Sequence, residues 1–178
     1  NDGAQIINLS ASSDDGNDQM KWTVARAMSS GVILVAAAGN DGFDNDDLSL
    51  SKWSGVVGVT AIGTDGTRQD YSSSGEGVVT TSIGGPVLFR NFDTGANDTV
   101  SGTSVASPIV AGVLALAKQR WPEATSNQLL QLLVKTGLNP DHGWNKYTGF
   151  GGIDPGAILN TDPSQFPDEN PLAQKQGG

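Results

Sequence analysis

Short apolar runs separated by polar, glycine-containing segments are the main pattern along the chain. Val32 to Ala38 reads VILVAAA with no polar interruption, which is typical of a central parallel strand covered on both faces. Ile6 to Ser10 and Val56 to Ile62 have the same character and predict two more buried strands. A further short strand is predicted near Gly77 to Thr81.

Segments with helical spacing or helix-end signals lie between and after these runs. In the first of them, Met20, Val24, Ala27 and Met28 form an apolar face, and Gly31 ends the helix. The predicted helices span Asp18 to about Ser30, Thr103 to about Arg120, Ser126 to Thr136, and a short segment opened by Asp154 and Pro155. Strands and helices in this order predict an α/β fold of three layers, α/β/α, with a mostly parallel sheet.

The chain is predicted to contain one folded unit and a tail. The unit covers residues 1–160 and opens almost directly on its first strand. We therefore expect it to be the C-terminal portion of a longer domain whose N-terminal portion is missing. Residues 161–178 contain three prolines and few apolar side chains, which predicts a proline-rich linker or a disordered tail.

Composition excludes several classes of function. The 178 residues include 10 Lys and Arg against 19 Asp and Glu, which gives a net charge of −9. The sequence contains no basic patch of the kind that binds nucleic acid, so this class of partner is excluded. The absence of cysteine excludes disulfides and thiolate metal sites. No apolar stretch approaches the length of about 18 residues that a membrane span requires.

The segment from Thr99 to Gly112, TVSGTSVASPIVAG, places a serine at the start of a predicted helix. Free backbone N–H groups and the positive end of the helix dipole favour negative charge there. Ser104 is therefore a candidate nucleophile for a reaction that forms an oxyanion. A serine at this position can also be an ordinary helix cap.

Three segments together resemble the subtilisin-like serine proteases, or subtilases. GTSVASPIVAG, from Gly102 to Gly112, matches the family's serine signature throughout; VILVAAAGN ends at Asn40, and INLSAS precedes both. YSSSG at Tyr71 to Gly75 and GFGGIDPGAIL at Gly149 to Leu159 are further matches, so the resemblance covers roughly residues 5 to 160. It implies a subtilisin-like fold. The ending GIDPGAIL and the proline-rich tail are also similar to mycosins, a group of actinobacterial subtilases.

The resemblance implies a serine endopeptidase that acts on polypeptides. Ser104 would attack the peptide carbonyl, and the side-chain amide of Asn40 would bind the oxyanion together with the backbone N–H of Ser104. Taken alone, Asn40 is equally well a turn residue before Gly42. Two backbone segments would flank the primary specificity pocket and pair with an extended substrate. They are Asn8, Leu9, Ser10, Ala11 and Ser12, and Ala37, Ala38 and Gly39.

The resemblance implies no required cofactor and assigns no metal ligand. Leu48 to Val57 lacks the proline-containing turn that contributes to a cation site in many relatives, so a structural Ca²⁺ has no clear motif here. The acidic loop Asp41 to Asp47 could bind a cation or be a solvated loop. The resemblance to subtilases also implies a secreted or cell-surface protein.

The acid and the base of a subtilase triad have no obvious place in this sequence. The family order is Asp, His and then Ser, yet the single histidine, His142, follows Ser104. Asp93-Thr94-Gly95 spells the D-T-G of the family's aspartate segment, but no core strand leads into it, and it predicts a turn. We expect Asp and His in the missing N-terminal portion and no meaningful activity from the isolated chain.

Two other functions fit parts of the sequence. A decayed subtilase-like domain could be a non-catalytic binding or structural module. An α/β-hydrolase would use Ser104, Asp141 and His142 in that order. Its nucleophile turn requires glycine where Ala106 stands, and adjacent residues are poorly placed to act as acid and base together.

Overall fold

A parallel sheet of four strands forms the centre of the protein. The computed structural model describes residues 3–11, 18–44 and 50–173. The strands are β1 (Ile6–Leu9), β2 (Ile33–Ala37), β3 (Val57–Ile62) and β4 (Val78–Ile83), and they lie side by side in that order. Each neighbouring pair is parallel, in agreement with the prediction of a mostly parallel sheet.

Helices cover both faces of this sheet. They are α1 (Asp18–Ser29), α2 (Thr103–Arg120), α3 (Ser126–Lys135) and α4 (Pro155–Asn160). The side chains of β2 alternate between the two layers, because successive residues of a strand point to opposite faces. Ile33 and Val35 belong to the larger core with α2 and α3, whereas Leu34 and Ala36 pack with Val24 of α1. Every residue of β2 is buried, which confirms the central strand and the three-layer α/β/α fold.

β1 lies at the edge of the described sheet. Among the described strands it pairs only with β2, and the side chain of Ile7 is 36% exposed. The strand predicted at Ile6 to Ser10 is present, but its predicted burial is wrong. An apolar run indicates that a strand can be buried, and only its pairing decides whether both of its sides are covered.

A two-stranded antiparallel hairpin, β5 (Val87–Arg90) and β6 (Asn97–Val100), leads into α2. The sequence did not predict this hairpin, because the stretch is polar and rich in turn-forming residues. The hairpin's own turn contains the D-T-G triplet, where the side chain of Asn91 accepts the backbone N–H groups of Asp93 at 3.0 Å and Thr94 at 3.2 Å. The prediction that this triplet is turn chemistry is confirmed.

Residues 161–173 pack against the core and correct the prediction of a linker or disordered tail. Leu172 is 2% exposed and belongs to the larger core. The side-chain amide of Gln131 donates to the backbone carbonyl of Glu169 at 3.0 Å. One buried leucine and a few such bonds are enough to order a polar segment, which its composition does not indicate. Residues 174–178 of the predicted tail lie outside the described residues.

No helix within the described ranges is long and apolar enough to cross a membrane.

Candidate active site

The helix start at Ser104 is formed by a glycine cap. Gly102 is the N-cap of α2, so Ser104 is the second helical residue and does not cap the helix. The N–H of Gly102 donates to the carbonyl of Gly84 at 2.7 Å, and its own carbonyl accepts from Val105 at 3.0 Å. The N–H groups of the first turn have no helical partner. The side chain of Ser104 is therefore in the environment that favours an oxyanion.

Asn40 is bound to the same helix start through its side-chain oxygen. Asn40 Oδ1 accepts the backbone N–H of Thr103 at 2.8 Å and the hydroxyl of Thr103 at 3.0 Å. Because a backbone N–H only donates, the amide must turn its oxygen toward Thr103, which leaves Nδ2 free to donate elsewhere. Asn40 is thus part of the site rather than only a turn residue.

The space in front of these groups is open because Gly102 has no side chain. A Cβ placed on Gly102 would lie 3.0 Å from Ser104 Oγ and 3.4 Å from Asn40 Nδ2. The hydroxyl and the amide nitrogen therefore face a common space. A carbonyl that enters this space can meet the hydroxyl and the hydrogen-bond donors together, which is the arrangement that acyl transfer requires.

Thr103 is a part of the site whose role the sequence did not reveal. Its side chain is fully buried. Its hydroxyl donates to Asn40 and accepts the backbone N–H of Gly39 at 3.1 Å. It therefore fixes the loop after β2 to the first turn of α2. In the sequence, only the position of Thr103 beside Ser104 in the serine signature indicated that it belongs to the site.

The predicted substrate-binding residues at the end of β1 contact α2. Asn8 Oδ1 accepts from the buried hydroxyl of Ser107 at 2.5 Å, and Asn8 Nδ2 donates to Ser10 Oγ at 2.8 Å. Ser10 Oγ in turn donates to the backbone carbonyl of Ser104 at 3.0 Å. These two side chains hold β1 beside Ser104, and substrate binding by this segment stays a prediction.

The remaining predicted substrate-binding residues are found at the ends of β1 and β2. Leu9 is half-buried on the α1 side, and Ala11 is exposed. Ala37 and Ala38 are buried, and the N–H of Ala38 donates to the carbonyl of Val59 at 2.9 Å. Gly39 is half-buried and bound to Thr103, whereas Ser12 lies outside the described residues.

The single histidine is part of a surface turn. His142 is exposed, and its Nδ1 lies 3.2 Å from the carbonyl of Gly137. Asp141 and His142 both have positive φ angles, of 58° and 51°. Within the described residues, Ser104 Oγ has no hydrogen bond to a histidine or a carboxylate. His142 is therefore not paired with Ser104 as a general base, in agreement with its prediction as a loop residue.

The acidic loop after Asn40 contains an ion pair. Asp44 Oδ2 lies 2.6 Å from Lys146 Nζ, and Asp44 Oδ1 accepts from Ser74 Oγ at 2.5 Å. The hydrogen bond from Lys146, followed by that from Ser74, lowers the pKa of the Asp44 carboxyl, although this group is on the surface. No group of three or more acidic or histidine side chains that could hold a metal ion occurs in the described ranges. Residues 45–47 of this loop lie outside them.

Comparison with known proteins places this site in a family. The chain is 38% identical over 138 residues to the thermostable alkaline protease of Halalkalibacterium halodurans, a match that covers 76% of this chain and 37% of that protein. It is 31% identical over 140 residues to subtilisin DY of Bacillus licheniformis, covering 77% of this chain and 51% of the relative. This chain thus spans about half or less of the length of these relatives.

A solved structure shows the same fold. Fervidolysin from Fervidobacterium pennivorans, a keratinolytic enzyme related to subtilisin, superposes with a TM-score of 0.76 at 29% identity. The match covers 89% of this chain and 27% of that one. The profile of the subtilase family matches residues 1–151. The chain therefore belongs to the subtilase family.

Proposed function

We propose that this chain supplies the nucleophile and the oxyanion hole of a serine endopeptidase. Ser104 Oγ attacks the carbonyl carbon of a peptide bond, and the carbonyl oxygen becomes an oxyanion. Asn40 Nδ2 and the backbone N–H of Ser104 donate to that oxyanion. Collapse of the intermediate expels the amine and leaves an acyl group on Ser104, which water then removes. The bonds from Thr103 to Asn40 Oδ1 are the observation that carries this proposal.

The general base is proposed to come from another portion of the same domain. An alcohol is almost fully protonated at neutral pH and needs a base to attack efficiently. The matched regions cover only 37% and 51% of these two relatives, which supports a further portion that carries Asp and His. Without that portion, we expect the chain to have no meaningful peptidase activity.

The surface beside Ser104 offers a place for such a portion. α2 has no charged residue before Lys118, and a helix that is apolar all round is typically covered on all sides. Its outer face nevertheless exposes 39% of Ile109 and 50% of Leu116. The open side of β1 lies next to it. We propose that a strand of the missing portion pairs with β1 and that the segments around it cover this face of α2.

The substrate is proposed to be an extended polypeptide that pairs with residues 8–12 and 37–39. No cofactor is required for this chemistry, and a structural Ca²⁺ stays an open expectation. A secreted or cell-surface location is proposed from the family. The narrower similarity to mycosins also stays a prediction.

A fluorophosphonate probe tests the proposal because it reacts much faster with an activated serine than with an ordinary one. We expect slow labelling of the isolated chain and fast labelling of the protein that also contains the Asp and His segments, with loss of labelling in Ser104→Ala. Equal labelling rates with and without those segments would contradict the proposed source of the base. No labelling in either form would favour the alternative, a non-catalytic binding or structural module.

A further inference from the structure

Tyr71 and Ser73 hold the loop that carries Asn40. The backbone carbonyl of Tyr71 accepts the N–H of Gly42 at 2.9 Å. The backbone N–H of Ser73 donates to the carbonyl of Gly39 at 3.0 Å. These two bonds lie on either side of Asn40 in the sequence. The oxyanion-hole loop is therefore attached to this segment before and after its functional residue.

The phenol of the same tyrosine reaches the turn before the nucleophile. Tyr71 Oη donates to the carbonyl of Gly84 at 3.1 Å, and the same carbonyl accepts the N–H of Gly102 at 2.7 Å. Burial raises the pKa of the Tyr71 phenol, an effect that the backbone N–H of Gly102 partly offsets. The phenol therefore stays a neutral donor at neutral pH, and it shares its acceptor with the residue two positions before Ser104.

The contact at Gly84 leaves little room for movement. A Cβ on Gly84 would lie 2.4 Å from the Cβ of Ala61, 3.0 Å from the carbonyl oxygen of Gly102 and 3.1 Å from Tyr71 Oη. Such close neighbours indicate that the phenol, the glycine and the turn before Ser104 fit together in one arrangement. A change at the phenol is therefore expected to affect the turn before Ser104.

We propose that Tyr71 is a positioning residue that sets the separation between the two donors of the oxyanion hole. This inference rests on the function proposed above. Asn40 Nδ2 and the N–H of Ser104 must both lie within about 2.7–3.1 Å of one developing charge, and they belong to distant parts of the chain. Tyr71 binds the segment of the first donor through its main chain, and its side chain reaches the segment of the second through the carbonyl of Gly84, which also accepts the N–H of Gly102. Losing the phenol bond lets the first turn of α2 shift relative to Asn40.

The test compares kcat with KM in the active protease that contains this chain. The Tyr71→Phe variant is expected to lower kcat about fivefold, the value of one ordinary hydrogen bond, with KM unchanged. The affinity for a peptide aldehyde, which mimics the tetrahedral intermediate, should fall by the same factor. Replacing Tyr71 by 4-aminophenylalanine restores a donor to Gly84 and should recover most of kcat. Tyr147→Phe is the matched control, because this second tyrosine is on the surface and 43% exposed, and it should leave kcat unchanged.

The outcomes separate this inference from the proposed function. If Ser104→Ala keeps its turnover, the proposed function fails. If Ser104→Ala is inactive while Tyr71→Phe retains the wild-type kcat and aldehyde affinity, only the inference about Tyr71 is overturned. A Tyr71→Phe protein that is merely less stable to heat, with unchanged kcat per folded molecule, overturns it as well. Should Tyr71→Phe not fold, the comparison of 4-aminophenylalanine with 4-methylphenylalanine at this position tests the donor at nearly constant size.

Discussion

The hydroxyl of Ser10 donates to the backbone carbonyl of Ser104 at 3.0 Å, which joins the end of the edge strand β1 to the first turn of α2. Asn8 makes a second connection to the same helix through Ser107. The position of Ser104 therefore depends on side chains of β1 as well as on its own helix. Any portion of the domain that pairs with β1 is thereby placed next to Ser104.

Replacing Ser10 with alanine should weaken this connection without disrupting the core. We expect the free energy of unfolding to fall by about 0.5–1.5 kcal/mol, because the bond to Ser104 and the bond accepted from Asn8 are both lost at an exposed side chain. Urea unfolding of the isolated chain measures the change. Ser29→Ala is the control, since the Ser29 hydroxyl bonds only within α1, to Arg26 at 2.9 Å. An equal effect of both variants would argue against a specific role for the bond to Ser104.

Removing the amide of Asn40 should affect turnover far more than substrate binding. In the active protease, Asn40→Ala is expected to lower kcat by about 10²–10³, a magnitude taken from the equivalent asparagine of subtilisin itself rather than predicted from this structure. Steady-state kinetics on a peptide substrate measure it. Asn91→Ala, which removes a turn asparagine of the β5–β6 hairpin, is the control and should leave kcat unchanged. A rise in KM alone would contradict the assignment of Asn40 to the oxyanion hole.

The buried hydroxyl of Thr103 should contribute to stability as well as to the site. Thr103→Val keeps the shape of the side chain, but it leaves the N–H of Gly39 without its acceptor. We expect a loss of about 1–3 kcal/mol in the free energy of unfolding, because an unpaired buried donor is costly. Thr103→Ser retains the hydroxyl and should lose much less. Denaturant unfolding measures the stability of the parent chain and of both variants. Equal stability of all three would contradict a stabilising role for the hydrogen bonds of the Thr103 hydroxyl.

The packing of residues 161–173 can be tested with two leucines. Leu172→Ala should cost about 2–4 kcal/mol, because the side chain is 2% exposed and its removal leaves a cavity in the core. Leu88→Ala is the matched control, since Leu88 is 79% exposed and should change stability by about 0.5 kcal/mol or less. Thermal or urea unfolding measures both. A neutral Leu172→Ala variant would restore the original prediction of a linker.

The ion pair between Asp44 and Lys146 should make stability depend on pH in two directions. The hydrogen bond with Lys146 lowers the pKa of Asp44, so its contribution is present above the ordinary Asp pKa of 3.8 and is lost as the pH falls through the depressed value. The same bond raises the pKa of Lys146. The contribution of Lys146 to stability is therefore present below the ordinary Lys pKa of 10.5 and is lost as the pH rises through the raised pKa.

Asp44→Asn tests this pH dependence directly. We expect the variant to be less stable than the parent chain near neutral pH and the difference to disappear at strongly acidic pH. Unfolding by urea at a series of pH values measures the difference. Because the pair is solvent-exposed, added salt should also reduce it. A difference that is independent of pH would show that the substitution disturbs packing rather than charge.

Local pattern was sufficient for most of the elements. The uninterrupted run VILVAAA contains β2, which is buried throughout, as expected for a strand covered on both faces. The Ala- and Val-rich segment after Ser104 indicated a helix from Thr103 to about Arg120, and α2 has these bounds. The β5–β6 hairpin could not be predicted from the polar stretch before that helix. The two strands of the hairpin are largely exposed, so the sequence contains no apolar face that would indicate them.

By itself, the sequence determined the family, and it predicted Ser104 as the nucleophile and Asn40 as the oxyanion-hole residue, because these predictions depend on residues that are adjacent in the serine signature or end a recognisable strand. The tertiary structure decided what surrounds them. The bond from Thr103 to Asn40, the two-sided contact of Tyr71 and the burial of Leu172 join residues far apart in the chain. Single hydroxyl groups and a single leucine form no periodic pattern in the sequence. Their contacts are therefore known only from the way the sheet and the helices pack.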